Sequence, residues 1–194
     1  MDEASTIRNN IQKFIQLTDD EFEYFHDLLK IQNYQEGQNL LDYGSICDRA
    51  FLILTGCIRY FNVVDGEEIT GQFFFENTWY SDYESYLFNA PSQQTIQAIE
   101  STRVAILTKD ALDHLYSKIP KFERFGRLIA ENAFLGVKAR NNSFLNQTPE
   151  ERYQALLKER PKVISRIPQH YIASYLGIKP ESLSRIRKRM MDNS

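Results

Sequence analysis

The chain has 194 residues, a hydrophobic content of 42% and a formal net charge of −3, enough apolar material for one large or two small globular domains. The slight acidity excludes a uniformly basic nucleic-acid coat protein, and two cysteines, Cys47 and Cys57, are too few for a disulfide scaffold. We expect both thiols to be free and buried. No apolar run reaches the roughly 18 residues of a membrane span and the start, Met-Asp-Glu-Ala, lacks a leader pattern, so the sequence predicts a cytoplasmic protein with no membrane partner.

The first strong helix signal is a capping box, Thr18-Asp-Asp-Glu21, in which a threonine and a glutamate three residues later satisfy each other's backbone N–H groups. Phe22, Phe25, Leu28 and Leu29 then supply an apolar stripe at helical spacing. This segment is predicted to be a packing helix.

From about Tyr34 to Leu107 the pattern changes to short runs rich in β-branched and aromatic residues: Phe51–Leu54, Cys57–Phe61, Gly71–Phe75 and Val104–Leu107. Glycines separate these runs, and Asp65-Gly66 is typical of a tight hairpin turn. The pattern predicts an antiparallel barrel or jelly roll.

Jelly rolls also serve as metal-dependent enzymes, which need histidine and carboxylate ligands clustered at the mouth of the roll. The strand region contains no histidine, and the three histidines of the chain, His26, His114 and His170, show no metal-ligand spacing. We therefore expect no enzyme, no metal and no cofactor.

An aromatic cluster lies within the strand region: Phe73, Phe74, Phe75, Trp79, Tyr80, Tyr83 and Tyr86. A small roll needs large side chains to fill its interior, so most of the cluster is expected to be core. The alternative is a pocket for a flat or apolar effector.

The Thr108 hydroxyl can cap a short helix that extends through His114, and the pattern of residues 121–147 predicts one long helix. Residues on one of its faces recur at spacings of three and four, as in a seam between two helices: Phe125, Leu128, Asn132, Leu135, Ala139 and Asn142. This seam favours a homodimer, with packing against the barrel as the alternative. A second capping box, Thr148-Pro-Glu-Glu151, predicts a domain junction near Asn146 to Thr148.

The segment Ile167–Met190 predicts two short helices joined by a tight turn. Pro168 suits the first turn of a helix, Gly177 suits a turn with positive φ, and Pro180 restarts a helix. Apolar residues recur at helical spacing in both halves: Ile172, Ala173 and Leu176, then Leu183, Ile186 and Met190. The alternative is an ordinary helical hairpin with a solvated charged face. Residues 149–194 contain 10 basic and 5 acidic residues, and this excess of positive charge favours a polyanionic partner.

This segment, together with Phe144–Arg152 and the glycine-punctuated roll, resembles the Crp/Fnr family of the cyclic-AMP receptor protein and the fumarate and nitrate reduction regulator. The resemblance implies an α+β protein with an effector-binding β-roll at residues 1–120, a dimerisation helix at 121–147 and a helix-turn-helix at 148–194. It further implies a homodimeric transcription regulator that reads palindromic double-stranded DNA. Glu181 and Arg185 stand at the positions that resemble the family's main base-reading pair. The candidate DNA-binding residues are Gln169, His170, Lys179, Glu181, Ser182, Arg185, Lys188 and Arg189.

The chain departs from the pattern of the family's cyclic-nucleotide members, which carry an arginine beside a serine or threonine for the cyclic phosphate. Ser92 and Gln93 stand there instead, and neutral groups cannot make a charge-assisted bidentate contact. Leu135 and Gly136 stand about where hydroxyl residues would meet the adenine. We therefore expect no response to cyclic AMP. The candidate residues for a small-molecule effector, whose identity the sequence does not give, are Ser81, Asp82, Tyr83, Ser92 and Gln93.

Two further expectations concern the C-terminal part. Only Met191–Ser194 follow the second helix of the predicted pair, so most of the family's wing is expected to be lacking. The alternative function is a ligand-binding or protein-interaction module whose helix-turn-helix docks a protein, and this alternative predicts no sequence-selective DNA binding.

Overall fold

A computed structural model describes residues 2–192 of the chain. The helices of this part are α1 Glu3–Ile11, α2 Asp19–Asp27, α3 Tyr83–Phe88, α4 Lys109–Lys118, α5 Lys121–Asn146, α6 Pro149–Glu159, α7 Pro161–Arg166, α8 Gln169–Tyr175 and α9 Pro180–Asp192. The strands are β1 Lys30–Tyr34, β2 Asn39–Leu41, β3 Arg49–Thr55, β4 Cys57–Val64, β5 Glu67–Phe75, β6 Trp79–Tyr80, β7 Thr95–Ala98 and β8 Thr102–Thr108. The expectation that most of the wing is lacking concerns residues 191–194, of which residues 193 and 194 lie outside the described part of the chain.

The strands form two four-stranded sheets with the orders β1-β8-β3-β6 and β2-β7-β4-β5. Strand β8 pairs antiparallel with both β1 and β3, so that Ile106 lies opposite Lys30 on one side and Phe51 on the other. The non-consecutive order shows that the chain crosses repeatedly between the sheets. The predicted antiparallel β-roll, long helix and helix-turn-helix are confirmed.

The chain divides into two compact units. The first comprises the residues up to Arg59 together with Phe74–Phe134, and the second comprises Tyr60–Phe73 together with the chain from Leu135 onward. The second unit therefore contains the tip of the β4–β5 hairpin as well as α6 to α9. Asp65 and Gly66 at this tip both have positive φ, as the predicted tight turn requires.

The core of the first unit is an aliphatic and aromatic cluster to which α1, α2, α4 and the start of α5 contribute. Helix α1 was not predicted from the sequence, because its nine residues contain only two large apolar side chains, Ile7 and Ile11. Both are fully buried, and Asn10 beside them accepts a 2.8 Å hydrogen bond from Trp79 Nε1. Tertiary packing therefore fixes this helix.

Several local predictions are confirmed. Thr18 and Thr148 each form a complete capping box, and Cys47 and Cys57 are buried and not linked by a disulfide bond. No helix within residues 2–192 is both long and apolar enough to cross a membrane.

Three details differ from the predictions. Phe125, assigned to the helix seam, is instead 4% exposed within the core of the first unit. The helix that Thr108 caps continues past His114 to Lys118. Pro168 is the residue that precedes α8, not a residue of its first turn.

Gly56 joins β3 to β4, where the chain passes from one sheet to the other, and it provides the first prediction. Its φ is +93°, and a Cβ there would lie 2.4 Å from Thr102 Oγ1 and 2.7 Å from the Ser101 carbonyl oxygen. We expect Gly56→Ala to lower the free energy of unfolding by about 2 kcal/mol or more, because backbone strain and a steric clash add. Urea unfolding measures the loss.

Gly44→Ala is the matched control, because Gly44 has a φ of +81° but open space around its Cβ direction. This variant should lose only the conformational part. Equal losses at the two positions would contradict the assigned clash.

Candidate nucleic-acid interface and effector site

The helix-turn-helix is held by a small apolar core within the second unit. Helices α8 and α9 bury Ile172 and Ala173 on one side and Leu183 and Ile186 on the other. Gly177 between them has a φ of +67°, and a Cβ there would lie 2.9 Å from the Phe144 ring. Glycine is therefore required at this turn both for its conformation and for the close approach of a side chain.

The predicted DNA-contacting residues lie largely on the surface. The exposed ones are Gln169, His170, Lys179, Glu181, Arg185, Lys188 and Arg189, whereas Ser182 is half-buried. Ser184, which the sequence analysis did not single out, is also exposed. The spacing 181, 184, 185 and 188 places these positions on one face of α9, and this spacing was the signal that could have identified Ser184.

Arg189 is less free than its exposure suggests. Its Nη2 donates to Glu150 Oε2 at 2.8 Å, and Glu150 lies in the first turn of α6. The pair is exposed, so it contributes little to stability, but it offsets part of the positive charge at the end of α9.

Helix α8 is also attached to the β4–β5 hairpin. The Ser174 hydroxyl donates to the Glu68 carbonyl oxygen at 2.7 Å and accepts from the Thr70 N–H at 2.9 Å. The ring centroids of Tyr175 and Phe73 are 5.3 Å apart. The sequence carried no signal for these contacts, since their partners lie about 100 residues apart.

Two of the predicted effector-site residues, Asp82 and Ser92, are buried and hydrogen-bonded to each other. The Ser92 hydroxyl donates to Asp82 Oδ2 at 2.5 Å, and the other Asp82 oxygen accepts from the Ser85 N–H at the start of α3. The Ser92 hydroxyl also accepts from the Gln94 N–H at 3.1 Å. These polar groups satisfy one another inside the roll.

The other three candidates do not converge on that pair. Ser81 donates to the Arg49 carbonyl oxygen at 2.9 Å and lies 3.4 Å from the Cys47 sulfur. Tyr83 and Gln93 are exposed. Burial raises the pKa of the neighbouring Tyr86 hydroxyl above its ordinary value.

Arg59 is a further interior group that the sequence analysis missed. This residue of β4 is 1% exposed, and its Nη2 and Nε donate to Gln97 Oε1 at 2.7 and 3.2 Å. A single arginine within the apolar run Cys57–Phe61 was the available signal.

Comparison with known proteins identifies this architecture. Residues 31–118 match the family model of the cyclic nucleotide-binding domain. No curated protein matches the chain by sequence.

Solved structures match most of the chain. FixK2 from Bradyrhizobium japonicum has a TM-score of 0.75 at 15% identity, over 85% of each chain. CLP from Xanthomonas campestris, a c-di-GMP-responsive global regulator, has a TM-score of 0.73 at 14% identity, over 91% of this chain and 93% of its own. A protein from Eubacterium rectale, proposed to be a transcriptional regulator of the Crp/Fnr family, has a TM-score of 0.71 at 17% identity, over 91% and 85%. At these identities the likeness establishes a shared fold.

The pairing of Asp82 with Ser92 generates a prediction about stability. Asp82→Ala removes the cap of α3 and the charged acceptor of the buried Ser92 hydroxyl, which can then donate only to the Gln94 carbonyl oxygen. The free energy of unfolding should therefore fall by roughly 1–3 kcal/mol. Chemical denaturation measures this loss.

A double-mutant cycle with Ser92→Ala separates the pair from the cap. The two losses should combine to less than their sum, because either substitution breaks the same hydrogen bond. Strict additivity would show that the two side chains do not interact.

Proposed function

We infer that this chain, which carries a cyclic nucleotide-binding domain and has the fold of the Crp/Fnr regulators, is a DNA-binding transcription regulator that acts as a homodimer in the cytoplasm. The observation that carries this proposal is the exposed stripe of Glu181, Ser184, Arg185 and Lys188 on α9. Leu183 and Ile186 anchor the opposite face of the same helix. The helix thus offers polar and basic side chains to the major groove of a duplex.

Base reading is assigned to Glu181 and Arg185. A glutamate accepts from the cytosine amino group, and an arginine donates in bidentate fashion to O6 and N7 of guanine. Lys179 and Lys188 are suited to phosphate contacts, as are Gln169 and His170 at the start of α8, with Ser182 also on the backbone side. Arg189 can contact a phosphate only when its ion pair with Glu150 is broken.

Homodimerisation is assigned to α5. Phe134, Leu135 and Val137 of this helix have exposed fractions of 66%, 59% and 65%, which is unusual for three large apolar residues within four positions. Packing of α5 against its copy along the predicted seam would cover Leu135, whereas Phe134 and Val137 lie outside that seam. Such packing would give the regulator two reading helices related by a two-fold axis. Such a dimer reads a palindrome with half-sites about one turn of DNA apart.

The interior of the roll argues against cyclic AMP as the effector. Neutral Ser92 and Gln93 replace the arginine-containing pair that the family resemblance places there, and Ser92 is already bonded to Asp82. At the positions of Ser92 and Gln93, a cyclic phosphate would lose its hydration without gaining a charged partner. An effector of this domain would therefore be a different small molecule.

Selection of bound sequences from a random duplex library tests the partner and the switch together. The purified protein without added ligand should enrich a palindromic motif, and its affinity for that motif should not change on titration with cyclic AMP. A motif that appears only with cyclic AMP would contradict the reading of Ser92 and Gln93. Absence of any motif would favour a module that docks a protein instead.

Arg185→Ala should lose about 1–3 kcal/mol of binding free energy on the preferred site and relax selectivity at one base pair, because a bidentate base contact is removed.

Lys188→Gln is the comparison for a backbone contact. It should weaken binding about equally on preferred and random duplexes and should reduce the salt dependence of the affinity. Equal losses for Arg185→Ala on all sequences would demote Arg185 to a phosphate contact.

The assignment of α5 to dimerisation gives a separate prediction. Leu135→Glu places a charge within the exposed apolar face, so the dimer should dissociate to monomers at micromolar concentration in analytical ultracentrifugation. Tyr43→Glu is the control, because Tyr43 is 63% exposed on the first unit and lies outside α5. A monomeric wild-type chain would contradict the assignment.

A further inference from the structure

A cavity of about 250 Å³ lies within the second unit and is separate from the exposed face of α9. Its walls come from α5, α6, the end of α8 and the β4–β5 hairpin. Three arginines, Arg140, Arg152 and Arg160, line it together with Phe144 and the exposed carboxylate of Glu159.

None of the three guanidinium groups forms an ion pair with a carboxylate in the part of the chain that the structure describes. Arg140 Nη2 donates to the carbonyl oxygens of Thr70 and Tyr175 at 3.1 and 2.9 Å, and Arg160 Nη2 donates to that of Phe73 at 2.7 Å. These partners are neutral dipoles. They satisfy individual N–H groups but leave the charge of each arginine uncompensated.

Arg152 shows the same lack of compensation. Its Nη1 and Nη2 donate to the carbonyl oxygens of Gln147 and Leu176 at 2.6 and 2.9 Å. Its Nε is buried and has no hydrogen-bond partner among the described residues. The guanidinium also lies 4.6 Å from the centroid of the Phe144 ring, against which Arg140 packs from 4.8 Å.

Three positive charges that line one partly buried cavity repel one another, which costs free energy. Burial lowers the pKa of Arg140 more than the neighbouring Tyr175 and Tyr60 raise it, and Arg160 adds to the lowering. A bound anion would reverse both effects, since it supplies opposite charge to a desolvated site. Donors remain for it, because Nε and Nη1 of Arg140 and Nε of Arg160 have no hydrogen-bond partners within residues 2–192.

We propose that this cavity binds a small dianionic ligand, a phosphate group or a small phosphate monoester, through Arg140, Arg152 and Arg160. Planar guanidinium groups match the oxygen spacing of phosphate and bind it bidentately. The cavity volume of about 250 Å³ lies just below the usual range of small-molecule pockets and admits a phosphate group or a small phosphate monoester. Glu159 can accept from a hydroxyl group of such an ester but would repel a second anionic group, so a nucleoside triphosphate is disfavoured. This site is independent of the proposed reading of DNA.

Isothermal titration of the full chain with inorganic phosphate, against chloride at equal ionic strength, tests the proposal. Wild-type protein should bind phosphate with one site per chain. Arg140→Gln and Arg160→Gln should each weaken binding about 10- to 100-fold, the range expected for loss of hydrogen bonds to a charged group. The matched control is Lys138→Gln, which removes one positive charge from an exposed position of the same helix outside the cavity. Its affinity should stay within about twofold of wild type.

Circular dichroism establishes that each variant is folded, and Arg140→Lys replaces Arg140→Gln if the latter is not. Lysine keeps the positive charge but lacks the planar group that binds two phosphate oxygens at once, so Arg140→Lys should still weaken phosphate binding by about tenfold. No phosphate binding by the wild type would overturn the proposal. An equal loss in Lys138→Gln would also overturn it, because the effect would then be one of net charge.

Discussion

The organisation of the second unit depends on guanidinium groups that donate to main-chain carbonyls rather than to carboxylates. Arg140 joins α5 to the hairpin and to the end of α8, Arg152 joins α6 to the ends of α5 and α8, and Arg160 joins α6 to the hairpin. Each bond links a guanidinium group of one element to a main-chain carbonyl of another. Because the acceptors are neutral, the three positive charges remain together in one cavity. The arginines that connect these elements are therefore also the residues of the candidate anion site.

In the roll of the first unit, by contrast, a buried carboxylate has a side-chain hydrogen-bond partner of its own. Where the family resemblance places a charged contact for a cyclic phosphate, Asp82 and Ser92 are buried and bonded to each other. Buried polar groups that are already paired gain little from a ligand and would lose their existing bonds to it. The first unit thus has the fold of a cyclic nucleotide-binding domain, but Asp82 and Ser92 in its interior cap α3 and hold the loop that follows it. The arginines without a carboxylate partner lie in the second unit.

The reading helix α9 depends on a narrow set of constraints. Leu183 and Ile186 fix which face is buried, and Gly177 fixes how closely the turn approaches Phe144. Because side chains at i, i+3 and i+4 share a face, burial of these two residues leaves Glu181, Ser184, Arg185 and Lys188 on the outside. The chemistry of the proposed interface therefore follows from the packing of its opposite side.

The sequence alone determined what local interactions decide. The capping boxes at Thr18 and Thr148 and the Asp65-Gly66 turn each involve groups within three residues of one another, and periodicity gave the faces of α9. Only the tertiary structure decided which residues meet across the chain. Helix α1 is too polar to be recognised before its two isoleucines are buried, Phe125 belongs to a core instead of a seam, and Arg160 reaches Phe73 across 87 positions. Such contacts depend on how the chain returns on itself, and no pattern within a few residues encodes that.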